Sequence, residues 1–278
     1  MPLTTTKEIL LDAQKGGYAV GAFNFENMEM AAAIVAAAEK MGRPVILQTT
    51  LSTTGYGTIP MMAQIGRTAA ASVRVPVAVH LDHGSKFDAL MQALHYGYTS
   101  LMIDGSQLAF ADNIAISRKV VEVAKPMGIP VEAELGKVGG REDDVVAESG
   151  GYTDPAEAAE FAQRTGADSL AVGVGTAHGV YKGTPKLALD VLEAIRRVVE
   201  IPLVLHGASG LSDADVQACI RLGVCKVNFA TELRQAYTRG VREALLDESV
   251  YDPKVYGRAG KAKVTELVCN RMKVCSMG

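Results

Sequence analysis

Eight short runs rich in Val, Ile, Leu and Ala recur along the chain, their starts 23 to 39 residues apart. They occupy 18–24 (YAVGAFN), 44–49 (PVILQT), 76–81 (PVAVHL), 99–103 (TSLMI), 130–135 (PVEAEL), 169–174 (SLAVGV), 202–206 (PLVLH) and 225–229 (CKVNF). Few charges interrupt them, as expected of strands buried on both faces of a parallel sheet. Each interval holds a loop, a helix and a return, so every neighbouring pair can be parallel with a right-handed crossover. Eight such units favour an α/β fold of the TIM (β/α)8 barrel type over an open doubly wound sheet, which shares the same local signals.

The intervening segments read as helices. MEMAAAIVAAAEKM, Met28 to Met41, is dense in Ala, Met and Glu and free of Gly and Pro. Further helices are expected at 59–72, 87–95, 113–124, 155–164, 185–199 and 212–221, with starts marked by Asp154 before Pro155, Thr184 before Pro185, and Ser212 three residues before Asp215. No composition break or long linker interrupts the chain, so residues 1–278 read as one domain with a C-terminal helical extension.

With a formal charge of −3 the chain offers no broad basic field, which argues against nucleic acid or an acidic membrane surface as partner. Nowhere do 18 uncharged apolar residues follow one another, and the opening MPLTTTKEILLDAQKGG lacks a basic head leading into an apolar run. A cytoplasmic location is expected. The four cysteines, Cys219, Cys225, Cys269 and Cys275, lack the close pairing of a structural zinc site and are expected to be reduced thiols. Aromatic residues make up only 5% of the chain and Trp is absent, which leaves little for stacking bases or long sugars. A small polar ligand fits better.

The polar residues at the strand ends carry the chemistry. From strand to strand they run Asn24, Thr50, Asp82 with His83, Asp104, Glu134, His178, His206 and Asn228, whereas the strand starts are mostly prolines and apolar residues. Barrel enzymes build their sites at the C-terminal ends of the strands. His80 reads as a buried barrel residue and His95 as a helical one. His83 falls past its apolar run in a short turn, and with His178 in GTAHGV and His206 in LVLHGAS it makes a three-imidazole set suited to a catalytic zinc, which keeps its full charge for polarising a bound oxygen. Cobalt, iron or manganese suit the same ligands. Asp104 and Glu134 are candidates to fix histidine tautomers, to take a displaced metal or to bind a second cation.

Anion contacts are expected at Gly179, at Gly207, Ala208 and Ser209 in HGASG, and at Asn228, Phe229, Ala230 and Thr231 in NFAT. The last two loops follow strands seven and eight, where barrels often bind phosphate. The loop LGKVGGREDDVV after strand five holds two glycines and an acidic run, so Glu142 is a candidate proton-transfer group on a segment able to move.

Through AFNFEN, LDHGS, MIDGS, VEAELGKVGGREDD, GTAHGVYKG, LVLHGASG and KVNFATEL, the chain resembles the class II metal-dependent ketose-bisphosphate aldolases over essentially its whole length. Short connections and NFATEL look most like the tagatose-bisphosphate branch. The resemblance implies Zn2+ on His83, His178 and His206, and a proton exchanged with substrate oxygen by Asp82. It gives Glu142 the proton on the dihydroxyacetone phosphate carbon and Asn228 a hold on the enediolate. Asn24 and Asp104, the latter with Glu134, are supporting residues. Phosphate falls to the backbone around Gly179, Gly207, Ser209 and Thr231, with a monovalent cation, Na+ or K+, beside it. Arg258 in KVYGRAG is expected at the second phosphate, from this chain or a neighbouring subunit. Thr50 stands where many relatives use serine, and Phe229 where a smaller residue is common; its bulk either reorients substrate or fills space behind the loop.

The implied reaction is reversible cleavage of tagatose 1,6-bisphosphate to dihydroxyacetone phosphate and glyceraldehyde 3-phosphate, with fructose 1,6-bisphosphate as the alternative substrate. A homodimer or homotetramer is implied, and an accessory subunit as for some tagatose-type relatives. A metal-dependent sugar-phosphate hydrolase and a non-catalytic sugar-phosphate binding subunit are the competing readings.

Overall fold

A computed structural model describes residues 2–277 except 143–144, 148–150, 182 and 184, and for 141, 142 and 145–147 it describes the backbone alone. Eight strands close into a parallel barrel: β1 (Val20–Asn24), β2 (Val45–Thr49), β3 (Val77–Gly84), β4 (Ser100–Ile103), β5 (Val131–Leu135), β8 (Ser169–Val172), β10 (Leu203–Leu205) and β11 (Val224–Phe229), with β1 paired to both β2 and β11. The remaining three, β6 (Gly139–Glu142), β7 (Val145–Ala147) and β9 (Ala177–His178), form a small sheet over the barrel's C-terminal end. All eight barrel strands fall on the expected apolar runs.

The helices are α1 (Thr6–Gly16), α2 (Met28–Met41), α3 (Leu51–Gly57), α4 (Ile59–Ala71), α5 (Phe87–Tyr96), α6 (Phe110–Ala124), α7 (Pro155–Thr165), α8 (Leu189–Val198), α9 (Asp213–Arg221), α10 (Thr231–Ala244) and α11 (Pro253–Cys275). Caps explain several starts. Asp154 Oδ1 accepts from the N–H groups of Ala156 and Glu157 at 2.8 and 3.0 Å, and Ser212 Oγ accepts from Asp215 N at 3.1 Å. The expected start at Pro185 is corrected: 185–188 are irregular and α8 opens at Leu189, while Thr184 lies outside the described residues.

Strand alternation sorts the core into two layers. Outward-facing Phe23, Leu47, Val79, Leu81, Leu101 and Leu170 pack under the helices in one large cluster. Inward-facing Val20, Ala22, Ile46 and Ala78 meet Ile9, Leu10 and Ala13 of α1, which closes the N-terminal end of the barrel. That end is packed mainly by apolar side chains, with the Thr6 and Ser100 hydroxyls meeting at 2.7 Å, and the ionisable inward residues lie farther along the strands.

The long α11 lies against α2 and α10. Its crossing with α10 is close: a Cβ on Gly240 would lie 2.5 Å from the Ala259 carbonyl oxygen, so only glycine fits there. The four cysteines are free and buried, and burial pushes the Cys219 and Cys275 thiols up to about 12. Among the described residues, no helix is long and apolar enough to cross a membrane.

Candidate active site

The C-terminal half of the barrel interior holds its polar residues in two tiers. Strand alternation places Asn24, Asp82, Glu134 and Asn228 at the rim, and Gln48, His80, Glu132 and Lys226 among the inward-facing residues below. All are buried.

Three histidines meet above them. The candidate ligand atoms of His83, His178 and His206 all lie within 4.8 Å of one another. His206 Nδ1 and His83 Nε2 face each other at 2.9 Å. His83 owes its place to a local distortion. The β3–β4 register shifts between Leu81 and Gly84, and His83 takes φ +46°, so Asp82 and His83 both serve the site although strict alternation would send them to opposite faces. The turn expected at His83 is therefore corrected: the strand runs on to Gly84, bulged. His178 is likewise displaced from a barrel strand to β9, whose partner is β6, with His178 opposite Gly140. The loop after strand five thus supports a histidine contributed from beyond strand β8.

Carboxylates hold the rings of His83 and His206. Asp104 Oδ2 lies 2.9 Å from His83 Nδ1, and Asp104 Oδ1 accepts from Ser106 N and Oγ at 3.0 and 2.7 Å. Glu132 Oε1 lies 2.8 Å from His206 Nε2, and Glu132 Oε2 lies 2.9 Å from Lys226 Nζ. Burial alone would raise the pKa of both acids, but His83 and Ser106 outweigh it at Asp104, as do Lys226 and His206 at Glu132, and both sit well below the usual carboxylate range. Burial lowers His206 against the pull of Glu132, favouring the neutral imidazole that a metal needs. It lowers His80 further, with help from Lys226. His80 Nε2 lies 3.8 Å from both Asp82 and Glu132, yet a neutral ring forms no ion pair with either.

Asp82 stands beside this set. Its Oδ2 accepts from Gln48 Nε2 at 3.0 Å, and its two oxygens lie 3.3 and 3.4 Å from Asn228 Nδ2. Gln48 also donates to Asn24 Oδ1 at 2.7 Å. Among the described residues, three groups of donors are spaced to hold a cation: His83, His178 and His206; His83, Asp104 and Glu134; and His80, Asp82 and Glu132. The third already encloses the Lys226 ammonium, 2.9 Å from Glu132 and 4.0 Å from Asp82. The first offers three nitrogens with the softness and spacing of a divalent metal centre.

A neighbouring cavity is lined by His178, Gly179, Gly207, Ser209, Asn228, Ala230, Thr231 and Arg234. Thr231 opens α10, so a helix N-terminus faces it. Tyr181 OH ties the walls together, accepting from Ala177 N at 2.9 Å and donating to the Gly207 carbonyl at 2.8 Å. Ser209 Oγ accepts from Ala230 N at 3.1 Å, which takes that amide away from any ligand.

Other expected positions lie elsewhere. The Ala208 methyl and the Phe229 ring belong to the outer core, the latter stacked on Phe23 at 5.4 Å, so Phe229 fills space behind the barrel wall. Thr50 caps α3, accepting from Thr53 N at 3.4 Å. Arg258 sits on α11 in a groove with Lys40, Lys261 and Lys273, and within one chain it does not line the cavity at the strand ends. Glu142 ends β6 by its backbone, and its side chain lies outside the described residues.

Gln48, Glu132, Lys226 and Arg234 escaped the sequence reading. The first three sit two residues before Thr50, Glu134 and Asn228, so period two could have found them. Arg234 follows Thr231 by one helical turn and donates to Glu26 Oε1 at 2.6 Å, which holds it beside the cavity.

Gly207 offers a test of this wall. Its φ is +67°, and a Cβ there would lie 2.7 Å from the Ala177 carbonyl oxygen, next to His178. Gly207→Ala is expected to cost roughly 2–4 kcal/mol through left-handed strain and overpacking. It should also weaken metal binding by shifting His178. Denaturant midpoints with a zinc titration check both, and unchanged values would show that the wall yields freely.

The sequence profile described as "Fructose-bisphosphate aldolase class-II" matches residues 4–278. A fructose-bisphosphate aldolase of Staphylococcus aureus (strain Mu50 / ATCC 700699) is 43% identical over 278 residues, covering 98% of this chain and 97% of that protein. The crystal structure of the YdjI aldolase from Escherichia coli K12 superposes with a TM-score of 0.89 at 37% identity, covering 98% of this chain and 97% of that one. The fructose-bisphosphate aldolase from Campylobacter jejuni, at 24% identity and a TM-score of 0.85 over 98% of this chain and 95% of that one, shares the fold. These matches overturn the assignment to a tagatose-bisphosphate branch and the tagatose 1,6-bisphosphate reaction drawn from it: relatives matching across the whole chain carry the fructose-bisphosphate name. NFATEL and short connections are too slight a basis for choosing between epimers.

Proposed function

Because the chain belongs to the class-II fructose-bisphosphate aldolase family, we propose that it cleaves fructose 1,6-bisphosphate reversibly to dihydroxyacetone phosphate and glyceraldehyde 3-phosphate. It is an enzyme, a metal-dependent carbon–carbon lyase. The observation that carries the substrate reading is the convergence of three histidines, a buried aspartate and an anion-suited cavity at one end of the barrel.

His83, His178 and His206 would hold the metal, and we assign it as zinc, which favours three neutral imidazoles with one open position. When bound, such an ion supplies Lewis-acid stabilisation of the charge that builds on the ketose oxygens as the bond breaks. The remaining work falls to the chain. Asp82 takes the proton from the hydroxyl on the carbon that becomes the aldehyde, while the electrons of the breaking bond stay with the donor fragment. In synthesis the proton returns the same way. Gln48 and Asn228 hold the Asp82 carboxylate, and Asn228 reaches the donor fragment's oxygens. Glu142 exchanges the proton on the donor carbon. Gly179, Gly207, Ser209, Thr231 and Arg234 bind the donor phosphate, with a Na+ or K+ ion assisting. A homodimer or homotetramer in the cytoplasm completes the reading, with Arg258 meeting the second phosphate from a neighbouring copy.

Incubating zinc-loaded protein with fructose 1,6-bisphosphate is expected to yield the two triose phosphates in equal amounts. Release of inorganic phosphate instead would point to hydrolysis and remove the aldolase assignment. For Glu142→Ala, exchange of the donor-carbon proton with solvent should fall by about 100-fold or more, the usual scale of a lost general base. Normal exchange would take Glu142 out of that role.

A further inference from the structure

Lys226 is wholly enclosed in the barrel, on β11, two residues below Asn228. A buried ammonium is unfavourable by several kcal/mol unless its partners are well placed, and apolar residues of similar volume usually serve packing as well or better. The neighbouring inward positions Ala22, Ile46 and Ala78 are apolar. Packing alone gives no reason for a lysine here.

The two ring-holding carboxylates suggest one. Each grips a histidine with one oxygen and is itself gripped by the other. At Asp104 the second grip comes from Ser106, through its backbone N–H at 3.0 Å and its hydroxyl at 2.7 Å, because Asp104 sits at the rim where a loop follows. Glu132 lies one tier deeper, inside a strand whose amides belong to the ladder. There the second grip has to be a side chain, and it is the charge of Lys226, whose ammonium lies 2.9 Å from Glu132 Oε2 as an ion pair without the alignment of a hydrogen bond. Glu132 Oε1 in turn engages His206 Nε2 at 2.8 Å, leaving His206 Nδ1 facing His83 Nε2 at 2.9 Å.

We propose that Lys226 is a positioning residue of the metal centre: by anchoring Glu132, it fixes the His206 ring with the proton on Nε2 and Nδ1 presented to the metal. Without this anchor the two-methylene arm of Glu132 turns more freely, and His206 loses its preset tautomer and orientation. The inference rests on the metal-dependent aldolase reading. It adds a residue that touches neither metal nor substrate.

The test pairs zinc affinity with histidine NMR. In the unaltered protein labelled with 15N-histidine, His206 is expected to show a protonated Nε2 with slow solvent exchange, with or without zinc. The double variant Lys226→Met with Glu132→Gln removes both charges of the close pair together, while Asp82, 4.0 Å from the ammonium, keeps its contacts to Gln48 and Asn228. It should keep its circular dichroism and melt cooperatively, yet bind zinc about 10–100-fold more weakly, the scale found when such supporting groups are lost, and lose the protected Nε2 proton. Zinc affinity within about threefold of the unaltered protein, or a His206 protonated on Nδ1, would overturn the proposal. So would a double variant that fails to fold, since the pair would then belong to core stability. If the unaltered protein binds no stoichiometric zinc, the metal reading itself fails, and that result is distinct from all the others.

Discussion

Replacing Asp82 with alanine is expected to slow cleavage of fructose 1,6-bisphosphate by about two to four orders of magnitude, the contribution typical of a positioned acid–base group. Metal content should stay near that of the unaltered protein. The geometry separates the two readouts. Asp82 is buried, with its oxygens engaged by Gln48 and Asn228, while the rings of His83 and His206 are held by Asp104 and Glu132. Deleting the Asp82 carboxylate therefore leaves both ring supports in place. Asp82→Asn sharpens the comparison, because it keeps the shape and cannot take a proton at neutral pH. Both variants should lose kcat with little change in zinc bound per chain, measured by a coupled triose-phosphate assay beside elemental analysis. Turnover within threefold of the unaltered protein would remove Asp82 from the proton transfer. Loss of zinc together with turnover would make it a support of the metal site.

The barrel was legible because strands buried on both faces leave nearly continuous apolar runs, and the rim was legible because polar residues ended those runs. The second tier was harder to read. Gln48, Glu132 and Lys226 sit inside PVILQT, PVEAEL and CKVNF, where a lone polar residue is easily passed over as an exception within a strand. Counting back by two from the rim residues recovers all three, since they share the same inward face. His178 was found by its residue type, but its place was not: it stands on β9, beyond the barrel strand, paired to a hairpin that arrives from the loop after β5. Such non-local pairing leaves no local pattern. The Phe229 and Ala208 side chains lie in the outer core, where alternation and the turn send them, so a part for these positions in the anion loops rests on their backbone groups. The choice of sugar epimer concerns the direction of a single hydroxyl. Neither the run pattern nor the metal set bears on it, so a branch assignment from NFATEL had no physical support.

Stripping the metal with a chelator is expected to reduce turnover by at least about three orders of magnitude, and adding back one equivalent of zinc should restore it. Lewis-acid stabilisation worth several kcal/mol accounts for that scale at 1.4 kcal/mol per tenfold. Folding should survive the treatment. Unlike small domains that fold only around their metal, this chain closes its barrel through an unbroken parallel ladder from β1 round to β11, with apolar clusters on both sides of the strands. Its metal-facing rings are supported from below: His83 by Asp104 and Ser106, His206 by Glu132 and Lys226. His178 stands on a two-residue strand that pairs with β6 among the described residues, outside the barrel ladder. Circular dichroism should therefore be unchanged on chelation, and the melting point should drop only by what removing a ligand from the native state implies. Amide exchange should increase chiefly around 177–179 and 139–140, the paired segments that carry His178. Full activity in protein shown to be metal-free would end the metal-dependent mechanism. Global unfolding on chelation would show instead that the site is built by the ion rather than waiting for it.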